Sequence, residues 1–201
     1  MISSKKKFLF IHIPKTGGNT IQNILKPYSD EEFITPKPHQ DGYERFELKH
    51  PKFELMKHST LFDYYKSFGA KELSKHLIFT SVRNPYDRLL SFYFSPHRGK
   101  VEWNETSFIE FIKGIPPAVS YLKINNIEGN KIITPPHIQH IIRYENFKDD
   151  LISVLNILGI NSKEIPWVNK SFHQKDRSLL SQRSRQAIEQ YHEIDFNTFD
   201  Y

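Results

Sequence analysis

The feature that most constrains this chain is the run Phe8-Leu-Phe-Ile-His-Ile-Pro-Lys-Thr-Gly-Gly-Asn-Thr20, in which a short apolar strand enters a Lys-Thr-Gly-Gly turn. Apolar residues at Ile21, Ile24 and Leu25 follow with helical spacing, so the turn opens a helix. A strand, a glycine turn and a helix start can aim backbone N–H groups, the positive end of a helix and one ammonium at a single point. The guest of such a cradle is a phosphate or a sulfate. Gly17 and Gly18 let the backbone come closer to an oxyanion than a residue with a Cβ would, and Thr20 adds a hydroxyl. In the common nucleotide triphosphate loop, G-x-x-x-x-G-K-[ST], lysine follows the last glycine. Here Lys15 precedes both glycines.

A second segment repeats the strand, turn and helix pattern: Leu77-Ile-Phe-Thr-Ser-Val-Arg-Asn-Pro-Tyr-Asp-Arg-Leu-Leu-Ser-Phe-Tyr93. Arg83 ends the strand, Pro85 suits a first helical turn, and Ser91 lies eight residues after Arg83. Together the two segments resemble the sulfotransferases that use 3′-phosphoadenosine 5′-phosphosulfate (PAPS), in particular the branch of heparan sulfate 2-O-sulfotransferase and its bacterial relatives. Arg143-Tyr-Glu-Asn-Phe147 is similar to that family's Arg-x-Glu-Asn-Leu segment, and Tyr191 to Tyr201 is similar to its Tyr-x-x-Asp-Phe-x-x-Phe-x-Tyr tail. Residues 28–52 and 95–136 match no family segment, and acceptor specificity is expected there.

The resemblance implies an α/β fold: a single domain over residues 1–201, with a central, mainly parallel β-sheet flanked by helices, of the P-loop-like sulfotransferase type. It implies PAPS as donor, 3′-phosphoadenosine 5′-phosphate (PAP) as product, no metal, and a hydroxyl acceptor on a carbohydrate or glycoconjugate. Lys15 is expected at the bridge between phosphate and sulfonate, with Thr16, Gly17, Gly18, Asn19 and Thr20 completing the cradle. Arg83 and Ser91 fall where the family binds the 3′-phosphate, and a guanidinium with a nearby hydroxyl suits that task. Lys170 and Ser171, in the polar loop before the last helix, fall where the family closes over the adenosine and 3′-phosphate. His58, in Lys57-His-Ser-Thr60, falls where the family carries a histidine in the acceptor pocket, and imidazole suits a general base. His50 and Asp63 are reserve bases, His12 a buttress of the first loop, Arg88 a structural cation, and Glu145 an anchor through a buried hydrogen bond.

Composition narrows the alternatives. With no cysteine among 201 residues, disulfides and thiolate metal sites are ruled out, which suits a reducing compartment and a cytoplasmic enzyme. The ten histidines show no metal-type spacing; His137 and His140 are the nearest pair, without a third ligand. The apolar run after Lys5-Lys7 is too short for a secretion signal or a membrane span, and Met1 reads as a true start. Net charge is +5, and residues 1–100 hold 17 Lys and Arg against 10 Asp and Glu. The cations are interspersed with acids, which argues against nucleic acid as a partner. A P-loop-like nucleotide kinase is disfavoured by the position of Lys15, and a non-catalytic PAPS or PAP-binding module by the presence of both Lys15 and His58.

The pattern also predicts elements. Strands are expected at Phe8–Ile13, Phe53–His58, His76–Val82 and Ile138–Arg143. Helices are expected from Thr20 to Lys26, Leu61 to Phe68, Pro85 to Phe94, Phe147 to Leu158 with Gly159 as cap, and Ser181 to Glu193. A short helix capped by Ser107 and Glu110 ends near Gly114, and one helical turn falls around Val119–Lys123. Residues 28–52 read as an excursion over the site.

Overall fold

In the computed structural model, residues 1–35, 46–95, 98–125, 132–133, 138–161 and 176–201 are described. The central sheet is built from β1 (Ile2–Ser3), β2 (Phe8–Ile11), β5 (Leu77–Val82) and β8 (His140–Arg143), in that spatial order. β1 pairs antiparallel with β2, whereas β2, β5 and β8 run parallel. Parallel neighbours need covered faces, and β2 meets that need with an uninterrupted apolar Phe-Leu-Phe-Ile. Alternation along the strand sends Leu9 and Ile11 to one face and Phe8 and Phe10 to the other.

On the first face, Leu9, Ile11 and Val82 pack against Leu61 and Tyr64 of α2 (Leu61–Phe68) and against Ala118, Val119 and Leu122 of a 3₁₀ turn. On the second, Phe8, Phe10 and Phe79 meet Ile21 and Leu25 of α1 (Gly18–Leu25) and Leu151, Val154 and Leu155 of α6 (Phe147–Ile157). A third cluster joins α4 (Pro85–Tyr93), α5 (Glu105–Lys113) and α7 (Gln182–Phe199) through Leu89, Tyr93, Phe108, Ile112 and Ile188. The remaining elements are α3 (Ala70–Leu73) and two small antiparallel pairs, β3 (Glu32–Ile34) with β4 (Glu47–Lys49) and β6 (Ile124–Asn125) with β7 (Ile132–Ile133). This is the mixed α/β arrangement expected, a mainly parallel sheet between helices. No helix among the described residues is long and apolar enough to cross a membrane.

Several elements depart from expectation for physical reasons. Phe53–His58 forms no strand: Leu55 N–H bonds the carbonyl of Phe53 and Ser59 N–H that of Met56, so the segment folds into turns. α5 is capped by Asn104, whose side chain accepts from Ser107 N–H, and not by Ser107. The capping box lies on α2, where the Thr60 hydroxyl accepts from Asp63 N–H and the Asp63 carboxylate from Thr60 N–H. Pro27 ends α1 but continues as a 3₁₀ turn, Lys26–Tyr28. α7 runs beyond Glu193 to Phe199 across a kink at His192, where φ is −123°.

Candidate active site

The first loop follows β2. Lys15 and Gly17 both have positive φ, 71° and 90°, and Thr16 between them does not. Alternating handedness of this kind turns successive N–H groups toward one side of the chain and makes an anion-binding concavity. A lysine in the left-handed region is a sparsely populated state, so its surroundings must hold it there. Arg88 does so from below: its Nε–H donates to the Pro14 carbonyl at 3.2 Å while both terminal nitrogens hold the Pro116 carbonyl. Arg88 is 1% exposed, and Asp195, at 3.7 Å, shares its charge. Thr16 clamps the other side, with its hydroxyl donating to the Ile13 carbonyl at 2.7 Å and lying 2.7 Å from Ser81 Oγ.

The two glycines serve different ends. Gly17 supplies a left-handed helix cap, and a Cβ there would fall 2.7 Å from the Phe147 ring. At Gly18 a Cβ would fall 2.1 Å from His12 Cδ2, so this glycine lets α1 start against the buried His12 ring. His12 in turn lies 2.9 Å from Gln22 Oε1 through Nδ1. No side chain caps α1 and no acid occupies its first turn, which leaves its positive end facing the concavity. Lys15 Nζ donates to Ser95 Oγ at 3.0 Å.

The second loop follows β5 and begins α4, with Asn84 capping the helix through Tyr86 N–H. Ser91 is buried on α4. The Arg83 guanidinium stacks 4.0 Å from the centre of the Tyr144 ring, and its Nε is buried without a hydrogen-bond partner. Among the described residues no carboxylate pairs with Arg83. Parallel pairing of β2 with β5, Ile11 opposite Thr80, brings both loops to the same end of the sheet.

His58 lies beside the first loop. Its Nδ1 is 3.1 Å from the His12 carbonyl, and the two imidazole centres are 4.4 Å apart. A carbonyl only accepts, so Nδ1 carries the proton and the neutral ring presents an unprotonated Nε2. His58 as a residue is exposed, with its imidazole packed against that of His12 on one side. The protein around the ring removes enough water to lower its pKa from 6.5 to about 4; the His12 carbonyl opposes this, and the Lys57 and Lys15 ammonium groups add to it. His12 is pushed well below its ordinary value by burial and then by His58, so this pair resists carrying charge. Lys57, buried over Phe46 and donating to its carbonyl at 2.9 Å, is lowered to about 8 by desolvation.

The reserve bases are otherwise engaged. His50 sits between Phe53 and Phe68 and accepts Lys52 N–H, and Asp63 is committed to the cap of α2. Glu145 accepts from Asn84 N–H at 2.8 Å and from the Tyr201 hydroxyl at 3.0 Å, an anchor as expected but at the surface and not buried. Lys170 and Ser171 lie outside the described residues. Sequence reasoning missed Ser95, Ser81 and Tyr144. Ser95 had a signal, since it follows Ser91 by one helical turn.

The Sulfotransferase family model matches residues 1–115, the stretch that carries both loops, His58 and α4. This chain belongs to the sulfotransferase family. It is therefore a transferase of sulfuryl groups, and the matched stretch includes both loops just described. No curated protein and no solved structure matches the chain.

Proposed function

We propose that this sulfotransferase takes its sulfuryl group from PAPS, passes it to a hydroxyl of a carbohydrate or glycoconjugate, and works as one domain over residues 1–201. The observation that carries the reading is the joining of two differently built anion-directed turns on adjacent parallel strands, tied together by the Thr16–Ser81 hydroxyl contact. One offers an alternating backbone and an ammonium, the other a guanidinium without a carboxylate partner among the described residues. A donor with two separate anionic ends suits that division, which favours PAPS over a donor with one. When bound, PAPS supplies the activated sulfonate and a stable leaving group.

The protein's own groups then divide the work. The N–H groups of Thr16 to Asn19 and the Thr20 hydroxyl hold the phosphosulfate end; the Thr20 N–H itself donates to the Gly17 carbonyl at 3.1 Å. Arg83 and Ser91 hold the 3′-phosphate, with Lys170 and Ser171 closing that side. His58 Nε2 receives the acceptor's proton as its oxygen bonds to sulfur, and Lys15 neutralises the phosphate oxygen released as the old sulfur–oxygen bond breaks. With a pKa of about 4, His58 is neutral at pH 7 but a weak base. Alignment and charge stabilisation therefore carry most of the rate. No metal enters this scheme, and nucleic acid is not among the partners. The Arg143 to Phe147 segment and the Tyr191 to Tyr201 tail favour the heparan sulfate 2-O-sulfotransferase-like bacterial branch, and a cysteine-free chain suits the cytoplasm.

The test is transfer of radiolabelled sulfate from PAPS to a panel of glycans, lipids and phenols, with glycan labelling expected. Labelling of phenols or lipids alone would replace the acceptor class. Tight PAP binding without transfer to any member would make the protein a non-catalytic PAPS-binding module.

A further inference from the structure

Parallel pairing of β5 with β8 sets Val82 opposite Arg143, so the next residues, Arg83 and Tyr144, leave adjacent strand ends together. There the Arg83 guanidinium lies 4.0 Å from the centre of the Tyr144 ring. The Arg83 Nε is buried and has no hydrogen-bond partner among the described residues. The same ring also approaches the first loop: a Cβ on Gly17 would lie 3.2 Å from Tyr144 Cδ2. The strand ends are strapped as well, because Glu145, next to Tyr144, accepts from the N–H of Asn84, next to Arg83. An arginine side chain is long and loses much rotamer freedom when fixed. Held over an aromatic face, it loses less of that freedom on binding an anion through its N–H fork.

We infer that Tyr144 is the positioning residue that holds Arg83 for a 3′-phosphate, and that it thereby sets the preference for a 3′-phosphorylated adenosine nucleotide over one with a free 3′-hydroxyl. This rests on the PAPS reading above. Tyr144 supplies a ring face; its hydroxyl has no part in the task. The phosphate is recognised by Arg83, and Tyr144 acts through it.

The experiment compares calorimetric affinities for PAP and AMP in wild type, Tyr144→Phe and Tyr144→Leu. The wild type prefers PAP, Tyr144→Phe keeps that ratio, and Tyr144→Leu lowers PAP affinity about tenfold with AMP affinity unchanged, the scale of a partly desolvated cation–π contact. A wild type indifferent to the 3′-phosphate would remove the PAPS reading itself. A selective wild type whose Tyr144→Leu variant loses PAP and AMP equally, or loses neither, would overturn only the role of Tyr144. So would a Tyr144→Phe variant that behaves like Tyr144→Leu. If Tyr144→Leu does not fold, the Arg83 side-chain proton resonances decide in wild type and Tyr144→Phe. They are displaced by the ring current in both proteins, and random-coil positions would overturn the inference.

Discussion

The two anion-directed turns share a plan of strand, turn and helix, yet they are made of different material. The loop of Lys15 to Gly18 is a backbone device: its donors are peptide N–H groups, its shape depends on two positive φ values, and its side chains mostly clamp it from behind. The turn at Arg83 is a side-chain device in which ordinary backbone presents a guanidinium on an aromatic face and a serine one helix away. A backbone site is sensitive to what is added to it. A side-chain site is sensitive to what is removed.

The largest expected effect separates the two by function. Lys15→Ala should lower turnover by about 10²–10³-fold, the usual cost of a lost charge-stabilising donor, while PAP affinity falls only modestly. Arg83→Ala should do the reverse, weakening PAP by about tenfold or more with turnover at saturation largely kept. Labelled-sulfate kinetics and PAP calorimetry on both variants check this, and the same profile for both would erase the distinction.

His58→Ala should cost about 10²-fold in turnover with PAPS affinity nearly unchanged. Since burial lowers His58 to about 4, the wild-type rate should stay level from pH 7.5 to about 5 and fall only as pH approaches 4. That limb should vanish in His58→Gln. A limb centred near 6.5 would mean that the ring is solvated.

Gly18→Ala tests the claim about addition. Alanine is the better helix former, so propensity alone predicts stabilisation. The 2.1 Å approach to the His12 ring predicts instead a loss of about 1–3 kcal/mol, a melting temperature lower by roughly 5 °C, and weaker PAP binding. Ser91→Ala, which removes a buried hydroxyl, should lower melting by less than Gly18→Ala does. A stabilised Gly18→Ala would break the comparison.

The smallest effect is on acid stability. The folded protein holds His12 and His58 below 6.5, so an unfolded chain takes up protons first as pH falls. Stability conferred by these groups is full above about 6.5 and is lost as pH drops toward 4. Melting temperatures at intervals between pH 7 and 4.5 should fall less steeply in His58→Gln than in wild type, and equal slopes would contradict the depressed imidazole.

What the sequence made legible follows from the range of each signal. Leu61–Phe68 was readable because its apolar face, its cap and Gly69 are local. The parallel sheet was readable from apolar strands separated by helices. Phe53–His58 has strand-like alternation at Phe53 and Leu55 but forms no pairing, and pairing is not a local property. α7 continues past His192 because Asp195 and Phe199 find buried tertiary partners, although the intervening residues are poor helix formers. Lys15 was legible as chemistry but not as a left-handed residue, since no propensity marks a lysine for that state. Tyr144 and Ser81 come to the site through strand register alone.

One consequence concerns the order in which the chain emerges during synthesis. Arg88 pins the Pro14 carbonyl, and the carboxylate that shares its buried charge belongs to Asp195, 107 positions later. Asp195 also accepts from Ala118 and Val119 N–H, closing the segment that supplies the Pro116 carbonyl. A nascent chain that has already made both loops therefore lacks the counter-charge beneath the first of them until Asp195 has emerged. The buried counter-charge is thus made well after the loop it supports.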